Sequence, residues 1–210
     1  MRALVIANGQ PPSHTLLQEL AGKAGLIVGA DGGAGKALAA GIRVDAVVGD
    51  LDSPGEELRA ALPSSAFHLR DDVNSTDLQK AVAFCIERGG EAIDIVAAGG
   101  GRADHALANL SVLALFRGGP PIRIIDDQFE VELVQGISTV DSPPGTIVSL
   151  VAIGPCRQVT TSGLRWNLDR FDLSFSPRGV HNEVASPPAT VSVAEGDLLL
   201  FRGRWIEKHA

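Results

Sequence analysis

Residues 44–53 read VDAVVGDLDS, an apolar run that stops at two aspartates, Asp50 and Asp52, one residue apart. In an extended chain the side chains alternate between faces, so residues two apart point in the same direction. Two carboxylates held side by side repel one another unless a positive charge lies between them. A solvated turn after a strand explains this stretch as well as a metal site does, because Asp, Ser, Pro and Gly all favour turns.

The segments around this stretch alternate between β-rich runs and helical patterns. The β-rich runs are ALVIANG at 3–9, LIVGADGG at 26–33, VDAVVGD at 44–50, AIDIVAAGG at 92–100 and IRIIDD at 122–127. Between them, STDLQKAVAFCIERGG at 75–90 and DHALANLSVLALFRGG at 104–119 repeat apolar residues at helical spacing, and a shorter helical stretch follows Gly33. This alternation predicts βα units around a mostly parallel sheet.

The pattern changes after Asp126. Strand-like runs then follow one another without a long helix, and turn sequences such as SPPG at 142–145 and SPRG at 176–179 separate them. The runs are VELVQG, TIVSLVAIG, RQVTTSG and ATVSVAEGDLLLF. Such a series predicts a small antiparallel sandwich or barrel. We therefore expect an α/β domain over residues 1–126, followed by a small all-β domain, an antiparallel sandwich, over residues 127–210.

The composition is that of an ordinary globular protein and argues against several classes of partner. Of the 210 residues, 45% are hydrophobic and 20% are charged, with a formal net charge of −7, which disfavours binding to nucleic acid. No apolar run approaches the ~18 residues of a membrane span, and the start does not resemble a signal peptide. Cys85 and Cys156 fit no metal-ligand spacing, and Cys85 lies in a helical apolar pattern typical of a buried free thiol. We therefore expect a cytoplasmic protein without membrane or nucleic-acid partners.

Acidic residues recur where βα units would deliver them to one edge of the sheet. Asp31 follows LIVGA, Asp50 and Asp52 follow DAVV, and Asp77 and Asp104 each open a helical stretch. Ligands of open α/β sheets bind beyond the carboxyl ends of the strands, so we expect the five carboxylates to converge there. Each has a simpler explanation as a helix cap, a partner of the helix dipole or a turn residue. A shared role accounts for all five together.

Two glycine-rich loops lie at the same predicted edge. ADGGAGK at 30–36 and AAGGGRAD at 97–104 place glycines at strand-to-helix turns, where backbone N–H groups can approach a phosphate, and Lys36 and Arg102 add positive charge. Neither loop matches the Walker or dinucleotide fingerprint. Acids and phosphates in one crevice repel unless a divalent cation lies between them, and Mg²⁺ prefers hard oxygen ligands. The sequence therefore predicts a Mg²⁺–nucleotide site.

An aromatic residue marks the second half of the chain. SGLRWNL at 162–168 places Trp166 on a predicted strand, and the chain contains no tyrosine. Core packing explains Trp166 as well as a flat surface on which an aromatic or cationic substrate stacks.

Five motifs, in chain order, resemble those of the thiamine pyrophosphokinase family. They are ADGG at 30–33, GDLDS at 49–53, NSTDLQKA at 74–81, GGGRADH at 99–105 and GLRWNL at 163–168. The resemblance implies an α/β domain that binds ATP and a β-sandwich that helps form a thiamine pocket, in a homodimer with the site at or near the subunit interface. It implies Mg²⁺-dependent transfer of the diphosphoryl group from ATP to the hydroxyl of thiamine, giving thiamine diphosphate and AMP.

The resemblance also implies roles for individual residues. Asp50, Asp52 and Asp77 match the acids that hold Mg²⁺, and Asp31 stands where the family has its first catalytic aspartate, so all four are expected to be catalytic. The implied nucleotide-binding residues are Gly32, Gly33, Lys36, Asn74, Thr76, Lys80 and Arg102. The implied substrate-binding residues are Asp104, His105, Trp166 and Asn182.

The chain departs from the family pattern in two places. Family members usually have Asn-Arg after the alanine of the DGGA turn, whereas Gly35 and Lys36 follow Ala34 here. Lysine keeps the charge of arginine but lacks its bidentate fork, which changes the possible phosphate contacts. In GVHNEV at 179–184, His181 stands where many members carry Ser.

Other functions are compatible with the same residues. A pyrophosphokinase for another alcohol, such as a hydroxymethylpterin, would share the acidic crevice without needing GLRWNL. A nucleotide- or thiamine-binding regulator without catalysis would need fewer acids around one cation. A Mg²⁺-dependent nucleotide hydrolase would need no acceptor at all.

Overall fold

The computed structural model describes residues 1–52 and 55–206, and the chain divides into two compact units, Met1–Asp127 and Gln128–Ala210. Within the described ranges, no helix combines the length and the apolar character that crossing a membrane would require.

Strands and helices alternate along the first unit. In chain order they are β1 Arg2–Ile6, α1 His14–Lys23, β2 Leu26–Ala30, α2 Gly33–Ala39, β3 Ala46–Gly49, α3 Glu56–Ala61, a 3₁₀ turn Ser64–Ala66, β4 Phe67–Leu69, α4 Asp77–Glu87, β5 Ala92–Val96, α5 Ala103–Leu115 and β6 Ile122–Ile125. This alternation confirms the predicted α/β unit.

The strands of the first unit run parallel in the order β6-β5-β1-β2-β3-β4. β1 lies between β2 and β5, so the winding of the chain reverses direction at the β1–β5 pair. In open α/β sheets a crevice opens beyond the carboxyl ends of the strands at such a switch point. The topology therefore determines where a ligand site of this unit lies.

Apolar side chains cover both faces of this sheet, as is usual for parallel strands. On one face, Leu4 and Ile6 of β1 belong to a core cluster with Leu16, Leu17 and Leu20 of α1. α4 packs against β1, β2 and β3, and its buried residues recur at helical spacing. Thr76 caps α4 by accepting a hydrogen bond from the backbone N–H of Gln79 at 3.2 Å, and Cys85 of this helix is a buried free thiol, as predicted.

A buried carboxylate ties the three strands around the switch point together. Asp94 of β5, 2% exposed, accepts a hydrogen bond from Arg2 of β1 at 2.7 Å. It also accepts two from Arg123 of β6, at 2.9 and 2.8 Å. Removal of one partner of such a buried group leaves a charge uncompensated, so loss of either arginine should destabilise this part of the sheet.

The second unit consists of strands, with no α-helix among its described residues. They are β7 Phe129–Leu133, β8 Ile137–Val140, β9 Thr146–Ala152, β10 Cys156–Ser162, β11 Phe171–Leu173, β12 Asn182–Glu183, β13 Ala189–Ser192 and β14 Leu198–Ile206. The stretch ATVSVAEGDLLLF at 189–201, predicted as one strand-like run, therefore contributes to two strands.

These strands form two antiparallel layers. One has the order β12-β9-β14-β7 and the other the order β11-β10-β13-β8. Val148 and Leu150 of β9 and Leu200 of β14 share a buried cluster with Val159 of β10 and Val191 of β13. The two layers thus enclose one core, which confirms the predicted all-β unit.

Candidate active site

A cleft with a volume of about 740 Å³ opens at the carboxyl ends of the strands of the first unit. The segments that follow β1, β2, β3, β4 and β5 line it, in agreement with the switch-point topology. Eight residues predicted from the sequence lie on its walls, namely Asp31, Asp50, Asp52, Thr76, Asp77, Lys80, Arg102 and His105.

Three carboxylates meet in this cleft. Asp31 follows β2, Asp50 follows β3 and Asp77 begins α4, and each offers a carboxylate oxygen within 4.8 Å of the other two. The glycine that ends β3 permits this approach, because a Cβ at Gly49 would lie 3.0 Å from Asp77 Oδ1 and 3.0 Å from Asp31 Cβ. Converging carboxylate oxygens are the donors that a hard divalent cation prefers, so the arrangement suits Mg²⁺.

Lys80 stands beside these acids. Its ammonium donates to Asp77 Oδ1 at 3.2 Å. The sequence resemblance implied a nucleotide contact for Lys80, whereas here its ammonium contacts the acidic group itself. The lysine and the three acids Asp31, Asp50 and Asp77 carry a formal charge of −2, which one divalent cation would balance.

Asp52 is arranged differently from the expectation for an extended chain. Strand β3 ends at Gly49, and Leu51 has φ +60°. The chain is therefore not extended here, and the side chains of Asp50 and Asp52 are not held in the same direction as they would be in a strand. The backbone N–H of Asp52 donates to Asp50 Oδ1 at 3.3 Å. Asp52 lines the cleft outside the group of three close carboxylates, and its role as a metal ligand stays a prediction. Ser53 of the GDLDS motif lies outside the described residues.

The glycines of the ADGG motif allow α2 to start against the end of β1. A Cβ at Gly33 would lie 2.0 Å from the carbonyl oxygen of Ile6, and one at Gly32 would lie 2.6 Å from Asn8 Nδ2. The approach at Gly33 is to backbone, which only glycine allows, whereas the approach at Gly32 is to the end of the Asn8 side chain. Gly33 therefore lets α2 begin directly against the end of β1.

Lys36 of α2 contacts the same loop. Its ammonium donates to the carbonyl oxygens of Asn8, at 2.5 Å, and of Gly9. Partial burial lowers the pKa of Lys36. The sequence predicts a nucleotide contact for Lys36, and the structure shows its ammonium bound to the backbone of the cleft wall.

Arg102 and Asp104 form an exposed ion pair at the start of α5. Arg102 donates through Nε to Asp104 Oδ1 at 3.1 Å and through Nη2 to Oδ2 at 2.6 Å. The hydrogen bond from Arg102 is the main reason why the pKa of Asp104 is lowered to about 2. Asp104 is thus ionised at neutral pH, next to the cleft residues Arg102 and His105.

The loop between β4 and α4 contains residues that the sequence analysis missed. Asp71 and Asp72 line the cleft, and Asp72 accepts hydrogen bonds from the backbone N–H of Asn74 at 3.0 Å and from the Ser75 hydroxyl. These contacts lower the pKa of Asp72. The pair of aspartates at the end of a strand was the available signal, but β4 is too short to be recognised as a strand.

Trp166 and Asn182 belong to the second unit. Trp166 lies in the loop between β10 and β11, and not on a strand as predicted, because Gly163 at φ +71° ends β10. The indole is 55% exposed, which excludes core packing as its role. Asn182 Oδ1 accepts a hydrogen bond from the backbone N–H of Trp166 at 3.2 Å, and Asn182 Nδ2 donates to the Trp166 carbonyl at 2.6 Å. The structure therefore brings these two predicted residues together.

Two models of known protein families match the chain. The one described as "Thiamin pyrophosphokinase, catalytic domain" matches residues 17–124. The one described as "Thiamin pyrophosphokinase, vitamin B1 binding domain" matches residues 135–198. Together they cover most of both compact units.

Individual relatives carry the same family name. "Thiamine pyrophosphokinase 3" of Oryza sativa subsp. japonica is 32% identical over 167 residues, which cover 73% of this chain and 62% of that protein. "Thiamine pyrophosphokinase" of Bacillus subtilis (strain 168) is 27% identical over 223 residues, which cover 96% of this chain and 99% of that protein. The chain therefore spans less than two thirds of the rice relative and nearly all of the bacterial one.

Solved structures share the fold. Thiamin pyrophosphokinase from Geobacillus thermodenitrificans superposes with a TM-score of 0.83 at 25% identity and covers 98% of each chain. Thiamine pyrophosphokinase from Bacillus subtilis superposes with a TM-score of 0.81 at 24% identity, over 97% of this chain and 99% of that chain. The likeness extends over almost the whole chain.

Proposed function

The chain belongs to the thiamine pyrophosphokinase family, and on this premise we propose that it transfers the diphosphoryl group of ATP to the hydroxyl of thiamine, giving thiamine diphosphate and AMP. The observation that carries the proposal is the meeting of Asp31, Asp50 and Asp77 in the cleft at the switch point of the sheet. Binding alone rarely needs so many acids in one place, so the cluster favours chemistry on a phosphorylated substrate.

The donor set fits a magnesium ion. Asp50, Asp52 and Asp77 are the proposed ligands: Asp50 and Asp77 belong with Asp31 to the group of close carboxylates, and Asp52 lines the same cleft. The formal charge of the acids with Lys80 agrees with a divalent cation. A bound Mg²⁺ would supply neutralisation of the phosphate charges, which otherwise repel the carboxylates.

Positioning of the reactants and neutralisation of the phosphate charge then account for most of the rate enhancement. The thiamine hydroxyl attacks the β-phosphorus in line and AMP leaves, as in other phosphoryl transfers. Arg102, whose side chain lines the cleft, offsets the negative charge that develops on the phosphate oxygens. One of the cleft aspartates accepts the hydroxyl proton. Asp104 and His105 bind thiamine beside the cleft, and Trp166 stacks on a ring of the substrate.

The proposal extends to assembly and location. We expect a homodimer with the site at or near the subunit interface, which sedimentation of the purified protein would measure. We also expect a cytoplasmic protein, because Cys85 is a buried free thiol, which suits a reducing compartment.

A direct assay tests this function. The purified protein is incubated with ATP, Mg²⁺ and thiamine, and chromatography should show AMP and thiamine diphosphate in equal amounts, with EDTA stopping the reaction. Faster AMP release with a hydroxymethylpterin than with thiamine would favour a different acceptor. AMP formed without any acceptor would indicate a hydrolase, and ligand-dependent stabilisation without AMP would indicate a regulator. Any of these three results would overturn the proposal.

A further inference from the structure

Trp166 is an exposed aromatic side chain whose surroundings hold it in one place. It lies in the loop between β10 and β11, where an exposed side chain is ordinarily free to change rotamer. Stacking on a substrate requires the opposite, because a ring that must first be ordered loses binding free energy. The contacts around Trp166 therefore bear on its function.

The backbone of Trp166 is held by a side chain from β12. Asn182 bonds both the N–H and the carbonyl of Trp166, and its Oδ1 also accepts the backbone N–H of Glu183 at 2.9 Å. Asn182 is itself fixed in β12, which pairs with β9 at Val148. The Asn182 carboxamide thus clamps the loop to the sheet, although the sequence resemblance implied a substrate contact for it.

The ring of Trp166 is held by its neighbour in the chain. The guanidinium carbon of Arg165 lies 4.9 Å from the centre of the Trp166 ring, in a cation–π contact. Arg165 Nη1 donates to Glu183 Oε1 at 2.6 Å, and the Arg165 backbone N–H donates to the Glu183 carbonyl at 2.9 Å. Glu183 is buried, so it anchors the guanidinium firmly. The Arg165 guanidinium therefore covers one face of the indole.

We propose that Arg165, Asn182 and Glu183 are positioning residues that fix Trp166 as a platform, with the indole face opposite Arg165 receiving an aromatic ring of the substrate. This inference rests on the proposed function for the identity of the substrate, thiamine. The ordering of the Trp166 ring is inferred from its contacts and is independent of that function. A planar, permanently charged guanidinium suits this task better than lysine, because it stacks on the indole while its fork bonds the carboxylate.

A single-tryptophan protein tests the platform. The chain has two tryptophans, so Trp205→Phe leaves Trp166 as the reporter and retains an aromatic partner for Phe129. In this background, Arg165→Met should raise the Kd for thiamine, measured by quenching of Trp166 fluorescence, and the KM for thiamine by about five- to tenfold. The kcat and the KM for ATP should stay within about twofold, because the cleft is unchanged. Arg165→Lys should restore part of the loss.

The matched control is Arg178→Met. Arg178 makes the same kind of contact in the same unit, with its guanidinium carbon 4.1 Å from the centre of the Phe171 ring, and its loss should leave the thiamine KM unchanged. Asn182→Asp, which keeps the oxygen acceptor and loses the N–H donor, should again raise the thiamine KM without changing the KM for ATP.

Two results would overturn the platform. The first is an unchanged thiamine KM in Arg165→Met together with a raised thiamine KM in Trp166→Ala. The second is an unchanged thiamine KM in Trp166→Ala itself. If the unaltered protein forms no thiamine diphosphate, the proposed function fails, and near-ultraviolet circular dichroism still tests the ordering of the ring. The Trp166 band should weaken in Arg165→Met and persist in Arg178→Met, and an unweakened band in Arg165→Met would overturn the positioning role.

Discussion

Lys80 Nζ donates a hydrogen bond to Asp77 Oδ1 across 3.2 Å, and the lysine side chain is only 7% exposed. Asp77 is one of three carboxylates whose oxygens lie within 4.8 Å of one another, so the ammonium offsets part of their mutual repulsion. Charge still remains for a divalent cation to neutralise. The pair therefore affects both the stability of the metal-free protein and its response to metal.

Replacing Lys80 by Met should destabilise the metal-free protein by about 1–3 kcal/mol, because the loss of one partner from a largely buried pair leaves the carboxylates uncompensated. Mg²⁺ should restore part of this loss by supplying the missing positive charge. Urea unfolding with EDTA and with Mg²⁺ measures both effects.

The control for this experiment is Lys23→Met. Lys23 forms an exposed pair with Glu19 at 2.6 Å, and such pairs are worth about 0.5 kcal/mol. If Mg²⁺ stabilised the two variants equally, Lys80 would have no special relation to the cation.

Asp50→Asn should lower turnover by about 10²–10³-fold, because a proposed metal ligand is lost. The metal-free variant should unfold at an unchanged or higher temperature, since one of three repelling charges has been removed.

Asp52→Asn should also nearly abolish turnover in a folded protein, as the family resemblance implies. Asp141→Asn, at an exposed acid of the second unit, is the control. Near-normal activity of Asp52→Asn would refute its assignment as a ligand.

The main strands of the first unit were predictable from the sequence because burial on both faces makes parallel strands continuous apolar runs. β4 Phe67–Leu69 was not, since it is three residues long, lies at the edge of the sheet and is only partly buried. The α/β and all-β units follow from patterns of many residues, whereas an edge strand of three residues leaves no periodicity to detect.

The convergence of the acids could also be anticipated, because topology alone carries the ends of β2 and β3 and the start of α4 to one edge. The detailed geometry of these acids could not be anticipated from the sequence. Leu51 adopts φ +60°, which leucine rarely does. The side chain of Asp52 therefore departs from the direction of Asp50 that an extended chain would give it. The partners of Lys36 and Lys80 depend on how α2 and α4 pack, which residue spacing does not encode.

Lys36→Met should loosen the loop after β1. The ammonium holds the carbonyl oxygens of Asn8 and Gly9, and the Gly9 N–H donates to the Ala97 carbonyl at 2.7 Å. Without the lysine, hydrogen exchange at the Gly9 and Gln10 amides should accelerate about tenfold. Lys36→Arg, which keeps the charge and the donors, should exchange at nearly the rate of the unaltered protein. Unchanged exchange in Lys36→Met would show that the contact does not hold the loop.

Arg102→Met should raise the pKa of Asp104 from about 2 towards its ordinary value of 3.8, because the hydrogen bond from Arg102 stabilises the ionised carboxylate. Titration of the Asp104 carboxyl carbon by NMR measures this change. Asp172 is the internal control, since its own lowered pKa depends on the Gln158 backbone N–H and on Arg157. A pKa of Asp104 that did not change in Arg102→Met would mean that the ion pair is not populated in solution.

Burial raises the pKa of the Cys85 thiol to about 12, from its ordinary value of 9.0. The neutral thiol therefore contributes its full stability below pH 9, and this contribution is lost as pH rises from 9 towards 12, where only the unfolded chain is ionised. The unfolding free energy should fall by up to about 1.4 kcal/mol per pH unit over this range. The chain has no tyrosine that would titrate there. Cys85→Ala should be less stable at neutral pH and should lose less stability above pH 9, whereas parallel curves for the two proteins would contradict a buried neutral thiol.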